Sequence, residues 1–361
     1  MRLFHLADVH LGAAPDAGTP WAQERAAAIR RTFIEVVEEA ERQQADYLVI
    51  SGDLFHHQPL LRELKEVDSV FARLSHTVVV LIAGNHDFIT PESAYATYKW
   101  TSRVVFFRQE NFAYARIPGT DVYFYGRSYH RQEIAEPLFD GCRPLKREGV
   151  HILVAHGGDA RHVPMDMQAL SQAGFDYVAL GHLHKRSEGP GPLFNPGSLE
   201  PLDHTETGRH GYYEVILGTG TRRVRFCPAA AGAYVDLEVP VTARDTAYTV
   251  EQRIRSLAQK AETVAAEELA GHVPELYYNV KLTGVRDPQI TFDEDEIRRI
   301  GRVASVTDAT GADLDLEGLA QDHRQDMLGR YIAAFEGKND DISRRALELG
   351  VRTLLETQRT E

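Results

Sequence analysis

Eight residues carry the chemistry open to this sequence: Asp8, His10, Asp53, Asn85, His86, His156, His182 and His184. Carboxylates and imidazoles without a thiolate form a borderline-hard donor set, suited to Mn, Fe or Zn rather than copper. Eight such groups are too many for one ion and a sensible number for two. Asp8 and His10 form an Asp-x-His, and His182 and His184 a His-x-His. On an extended segment each pair points to one side and can share a metal site. A carboxylate that bridges two cations is best supplied from the centre of a sheet, and Asp53 is the candidate.

All eight stand at the end of short apolar runs: LFHLADVH, DYLVISGD, TVVVLIAGNHD, VHILVAH and YVALGHLH. Runs this short and this rich in β-branched residues read as buried strands. In open α/β sheets the ligand crevice lies outside the carboxyl ends of the strands, where these residues fall. Between the first three runs lie amphipathic helical patterns at 21–44, with Ile29, Phe33, Val36, Val37 and Ala40 on one face, and at about 62–74. This βαβαβ order predicts a parallel sheet with right-handed crossovers.

After Tyr98 the pattern changes. Short aromatic-rich runs at 104–107, 112–117 and 122–127 predict a second, more antiparallel sheet. A helix is expected near 165–173, and a hairpin at 211–217 and 222–226 around Gly218-Thr219-Gly220. The stretch PAAAGA at 228–233 marks a domain boundary, because small residues and proline replace any core pattern. Beyond it, 234–241, 249–262 and 276–283 predict a small β-α-β unit, followed by a helix at 293–304. Two amphipathic helices are expected from Leu316 onward.

Composition sets the bounds. The 361 residues are 43% apolar and 26% charged, ordinary values for a soluble globular chain of two or three domains. No apolar run is long enough to cross a bilayer. Asp8 and His10 interrupt the first apolar stretch, so it does not read as a signal peptide. With only Cys142 and Cys227 there is no disulfide framework or cysteine zinc ribbon, and a reducing cytoplasm is the expected location. The net charge of −13 argues against nonspecific coating of nucleic acid. It leaves a nuclease open, since divalent cations reverse the sign around clustered carboxylates.

The ordered set Asp-x-His, Gly-Asp, Gly-Asn-His-Asp, His, Gly-His-x-His resembles the calcineurin-like metallophosphoesterase superfamily. Gly52-Asp53-Leu54-Phe55-His56 and Asn195-Pro196-Gly197-Ser198-Leu199 are similar to its DNA-repair exonuclease branch, the SbcD and YhaO type, related to the meiotic recombination nucleases. The resemblance covers about the first 230 residues. It implies an α/β fold of two packed mixed sheets flanked by helices at 1–228, a small α/β capping domain at 234–311, and a C-terminal helical segment at 312–361. It further implies that Asp8, His10 and His184 hold one cation, that Asn85, His156 and His182 hold the second, and that Asp53 bridges. His86 would face substrate and assist the leaving group. The cations would be two divalent ions, usually Mn²⁺, with Fe²⁺ or Zn²⁺ as alternatives.

The implied partners are a DNA substrate and an SbcC-type coiled-coil ATPase docked on the last helices, with a homodimer compatible and no membrane. Packing of those helices onto the capping domain is the structural alternative. His56, His162, Arg127 and Lys185 are the candidate substrate contacts, and Asp87 reads first as a turn cap. Two other functions remain: a small-molecule or cyclic-nucleotide phosphodiesterase with the same site, or a protein-binding scaffold. The serine/threonine phosphatase branch is disfavoured, because Gly52-Asp53 leads into Leu-Phe-His-His rather than Asp-Arg-Gly.

Overall fold

Period-two patterning in the apolar runs divides their side chains between two cores. In the computed structural model, which describes all residues except 146–147, 219, 269–271, 339 and 359–361, the chain forms two compact units. The first unit comprises Met1–Tyr234 and a short segment ending at Glu275. Its elements are β1 (Arg2–Leu6), α1 (Ala22–Arg42), β2 (Tyr47–Ser51), α2 (Leu61–Phe71), β3 (Val78–Ile82), α3 (Ala94–Thr97) and β4 (Val104–Phe106). There follow β5 (Ala113–Arg116), β6 (Val122–Gly126), β7 (Val150–His156), α4 (Met167–Ser171), β8 (Tyr177–Gly181), β9 (Ser187–Glu188), β10 (Leu193–Asn195), β11 (Gly211–Gly218) and β12 (Thr221–Pro228).

Two six-stranded mixed sheets result, in the orders β12-β11-β1-β2-β3-β4 and β5-β6-β7-β8-β10-β9. Leu3, Tyr47, Val49, Val78, Val80 and Ile82 of the first sheet pack on Phe124, Ile152, Val154, Tyr177 and Ala179 of the second. The intervening residues Phe4, Leu48, Ile50, Val79 and Leu81 turn to the other side and pack against Phe33, Val36 and Val37 of α1 and Leu64 and Val67 of α2. Strands buried on both faces need no polar alternation, which is why the runs are continuous. The α1 stripe recurs at helical spacing, and Phe33 is 1% exposed.

Two expectations for the first unit are corrected. Residues 104–106 do not join the second sheet: β4 pairs parallel with β3, in the register Val79↔Val104 and Leu81↔Phe106. The chain between β3 and β4, which includes α3, is long enough for the crossover a parallel pairing requires. The second sheet is also less antiparallel than expected, since β6–β7, β7–β8 and β8–β10 are all parallel. Only its edge pairs β5–β6 and β9–β10 are antiparallel. The hairpin β11–β12 forms and joins β1 antiparallel. Thr219 of its expected turn lies outside the described residues.

The second unit comprises Val235–Glu268 and Leu276–Glu361. It is built from most of β13 (Gly232–Val241), then α5 (Ala247–Glu268), β14 (Glu275–Arg286), α6 (Glu294–Arg298), β15 (Val303–Asp308), β16 (Gly311–Ala312), α7 (Leu316–Asp322), α8 (Met327–Ala334) and α9 (Asp341–Gln358). The helix expected to reach 304 stops early, because the run from Val303 pairs parallel with β14 instead. Among the described residues, three C-terminal helices replace the expected two. The break falls at Asp326, whose carboxylate accepts from the Leu328 and Gly329 N–H groups and starts α8. Leu328, Ile332 and Val351 form the centre of the helical cluster. Glu348 of α9 accepts from Arg286 of β14 and from the Ala312 N–H.

Candidate metal centre

Each of β1, β2, β3, β7 and β8 delivers its polar residues at its carboxyl end, so the parallel strands of both sheets open onto one edge. The turns are tight. Asp8, His10, Asp53 and His182 all have positive φ, at 49°, 51°, 50° and 95°. L-residues are held in that region only where the surroundings over-determine it, a form of strain that clusters at functional sites. Glycines leave room for the approach. A Cβ on Gly52 would lie 2.3 Å from His156 Nδ1, and one on Gly84 2.2 Å from Asp53 Oδ1.

The side chains form two adjoining groups. In one, His10 Nε2 lies 3.0 Å from His184 Nε2, and these two with Asp8 present ligand atoms within 4.8 Å of one another. In the other, Asn85 Oδ1 lies 2.8 Å from His156 Nε2 and 3.0 Å from His182 Nδ1. Asp53 stands between them, with Oδ2 3.7 Å from His10 Nε2 and 3.3 Å from His156 Nε2. Asp8 receives the His182 main-chain N–H on both oxygens, at 3.0 and 2.9 Å.

The outer ring nitrogens reveal which atoms face inward as acceptors. His156 Nδ1 donates to the Ser51 carbonyl at 2.9 Å, leaving Nε2 with a lone pair when the ring is neutral. His182 Nε2 lies 2.7 Å from an Asp159 carboxylate oxygen, which can only accept, leaving Nδ1 with a lone pair. His184 Nδ1 donates to Glu206 at 2.7 Å, leaving Nε2 with one. Lone pairs of His156, His182 and Asn85 thus converge on one point, and the ligand atoms of His184, His10 and Asp8 gather at another. Converging acceptors need a positive charge among them, and two divalent cations fit this donor set.

The electrostatics agree. Burial opposes charge on His156, yet the facing Asp53 carboxylate draws its pKa up to about 9. Burial likewise opposes charge on His184, which Glu206 and Asp8 raise to about 9. Burial would raise Asp53, but His156 and His10 hold it well below the carboxylate range. Burial lifts Asp8 to about 6 against the pull of His156 and His184. Burial, then the charge of His156, push His182 down to about 4. The carboxylates that draw protons to His156 and His184 would draw cations for the same reason.

Around this centre the other candidates fall as follows. His86 is half-buried. Its main-chain N–H donates to Asp53 Oδ1 at 2.9 Å, and its Nδ1 lies 3.1 Å from the His56 carbonyl. The His56 ring stacks on His86 with centroids 5.1 Å apart, and His56 Nδ1 lies 3.3 Å from His10 Nδ1. His162 reaches the centre through Asp159, at 3.0 Å, with its ring 4.6 Å from that of His182. Arg127 is half-buried, its guanidinium 3.5 Å from the Leu138 carbonyl, and Lys185 is exposed. Neither belongs to a ligand group among the described residues. Asp87 caps the turn, accepting from the Gly84 and Phe55 N–H groups and from Tyr95 Oη. Burial, then the Asp53 charge, push it up to about 7.

Sequence reasoning missed Asp159 and Glu206. Asp159 follows His156 by three residues in a glycine-containing loop, a faint signal. Glu206 lies 22 residues beyond His184 on a different loop, and no spacing rule points to it.

The profile of the calcineurin-like phosphoesterase family matches residues 1–186, more than half of the chain. The chain belongs to this family. Its members hydrolyse phosphate esters with divalent metals, which agrees with the groups just described. Among curated relatives of this phosphoesterase, the DNA double-strand break repair protein Mre11 of Methanopyrus kandleri is 26% identical over 394 aligned positions, covering 98% of this chain and 83% of that protein. The uncharacterized metallophosphoesterase YhaO of Bacillus subtilis is 29% identical over 243, covering 61% and 58%. The Mre11 of Archaeoglobus fulgidus is 29% identical over 253, covering 62% and 56%. The chain therefore spans less than two thirds of the last two proteins. No helix among the described residues is long and apolar enough to cross a membrane.

Proposed function

We propose that this chain is a Mn²⁺-dependent DNA nuclease, exonuclease or endonuclease, that hydrolyses phosphodiester bonds at a two-cation centre and serves DNA repair. The observation that carries the reading is the inward convergence of lone pairs from histidines whose outer nitrogens are already engaged. The relatives named Mre11 favour DNA as substrate. Asp8, His10 and His184 would hold one cation and Asn85, His156 and His182 the other, with Asp53 shared. When bound, the cations supply Lewis acidity, lowering the pKa of a water and neutralising charge on the phosphate.

The protein's own groups do the rest. His86 gives its proton from Nε2 to the leaving alkoxide oxygen, while Nδ1–H stays anchored on the His56 carbonyl. General acid catalysis of this kind contributes on the order of 10²–10⁴. Burial of Asp8, Asp53 and His156 limits water around the centre and strengthens each electrostatic interaction there. His56, beside His86, and His162 are proposed to meet the phosphate backbone, and Arg127 and Lys185 to add charge further out.

A partner of the SbcC-type ATPase class is proposed for the C-terminal helices. Its support is the apolar side chains left exposed there: Met327 at 70%, Ile342 at 83% and Leu349 at 57%. The substrate reading is tested by offering the full chain linear DNA beside cyclic nucleotides, with Mn²⁺. Preferential DNA cleavage is expected. Turnover of cyclic nucleotides alone would overturn the substrate while leaving the metal centre standing.

A further inference from the structure

The two histidines of the His182-Leu183-His184 segment face the centre through different nitrogens. His182 presents Nδ1, 3.0 Å from Asn85 Oδ1, and His184 presents Nε2, 3.0 Å from His10 Nε2. What distinguishes them is the carboxylate behind each ring: Asp159 on His182 Nε2 and Glu206 on His184 Nδ1, both at 2.7 Å. We infer that Asp159 and Glu206 are paired positioning residues, each fixing the tautomer of one histidine and so the affinity of one cation. The inference rests on the two-cation reading above.

Both carboxylates are themselves held. Glu206 Oε2 accepts from Ser198 Oγ and from the Leu202 N–H, each at 3.0 Å, which leaves Oε1 for His184. Asp159 Oδ1 accepts from the Arg161 and His162 N–H groups at 2.7 and 2.9 Å, and Oδ2 faces His182 Nε2 at 2.7 Å with His162 Nδ1 beside it at 3.0 Å. A fixed acceptor selects one imidazole tautomer and one ring orientation, and makes the inward nitrogen a better ligand. A neutral imidazole without such a partner divides between two tautomers, of which only one can ligate here. The two carboxylates come from separate loops, one after β7 and the other between β10 and β11, and each backs a histidine of a different group. Their effects are therefore separable.

The test is Mn²⁺ titration of the full chain by calorimetry and by the electron paramagnetic resonance of free Mn²⁺. Wild type is compared with Asp159→Asn, Glu206→Gln and the double variant. Each single substitution is expected to lower one of two affinities by about 10–100-fold, sparing the other, and the double to lower both. Loss confined to one of the two sites separates this role from a merely structural one, which would weaken both affinities together. In wild type loaded with diamagnetic Zn²⁺, nitrogen NMR should find Nδ1 bound in His182 and Nε2 in His184. The same nitrogen bound in both rings, or single variants with two unchanged affinities, would overturn the inference alone. A wild-type chain that binds no cation would overturn the ligand reading beneath it.

Discussion

Asp53 holds His86 in place: the main-chain N–H of His86 donates to Asp53 Oδ1 at 2.9 Å, while Oδ2 faces His10 and His156. The carboxylate proposed to join the two cations is thereby also the anchor of the proposed proton donor. On that proposal, cation binding and leaving-group protonation would be registered to each other through one side chain.

That arrangement separates the two roles in one substitution. His86→Ala keeps the main-chain N–H on Asp53, so Mn²⁺ stoichiometry should remain two per chain. Diester hydrolysis should fall by about 10²–10⁴, the contribution of general acid catalysis. Calorimetry beside a diester assay reads both. Loss of a cation would make His86 a ligand instead.

Close packing beneath the centre should be intolerant of a single methyl group. Gly84→Ala would put Cβ 2.2 Å from Asp53 Oδ1 and 2.7 Å from its main-chain nitrogen. Overpacking of this kind costs about 1–3 kcal/mol, and here the atom displaced is a proposed ligand. Urea unfolding should show that loss of stability, and Mn²⁺ binding should weaken with it. Wild-type Mn²⁺ affinity in Gly84→Ala would contradict the packing argument.

A buried ion pair outside the candidate ligand set gives a stability prediction. Glu200, fully buried, accepts from Arg25 Nη1 at 3.2 Å, from Thr32 Oγ1 at 2.5 Å and from the Ala231 N–H at 2.6 Å. Glu200→Ala leaves the Arg25 guanidinium buried without this partner and should cost about 3–5 kcal/mol in denaturant unfolding. Arg25→Met combined with Glu200→Leu should recover much of that loss. A double variant as unstable as the single would show that the backbone bonds to Glu200, not the charge pair, dominate.

Glu41, near the end of α1, supplies a pH dependence. Burial would raise its pKa, but donors from Ser75, Thr77 and His76 hold it at about 2. A carboxyl with a depressed folded-state pKa stabilises fully above its unfolded value, near 4.5, and that stability fades as pH falls toward 2. Wild type should therefore exceed Glu41→Gln in urea midpoint at pH 6, and the gap should close on acidification. A gap independent of pH would assign the effect to shape alone.

Deleting the chain from Leu316 tests the partner proposal. The helices removed cluster around Leu328, Ile332 and Val351, while the candidate cation ligands all lie within the first unit. Diesterase activity should survive, and binding to a co-expressed coiled-coil ATPase should be lost. Unchanged binding would end the proposal.

The five strand ends were legible because each is a local pattern: an apolar run, then polar residues at fixed spacing. A second sheet was legible in the aromatic-rich runs after Tyr98, and the packing of two mixed sheets was what the family resemblance implied. The partner of β4 was not legible, since Val104–Phe106 fits either sheet equally well and only the crossover from β3 decides. The break before α8 was hidden because Asp326 interrupts an otherwise continuous apolar stripe with a single cap. Asp159 and Glu206 were invisible for a different reason. Their importance lies in which ring nitrogen they touch, and that depends on loops meeting across the fold rather than on any spacing along it.

The central claim is that cleavage requires two cations held by these side chains. The direct measurement is hydrolysis of linear DNA by the metal-stripped full chain as Mn²⁺ is added back, read beside bound Mn²⁺. Activity should be absent in chelator and should rise as occupancy approaches two ions per chain. Full cleavage in chelator, or saturation at one bound ion, would contradict the account.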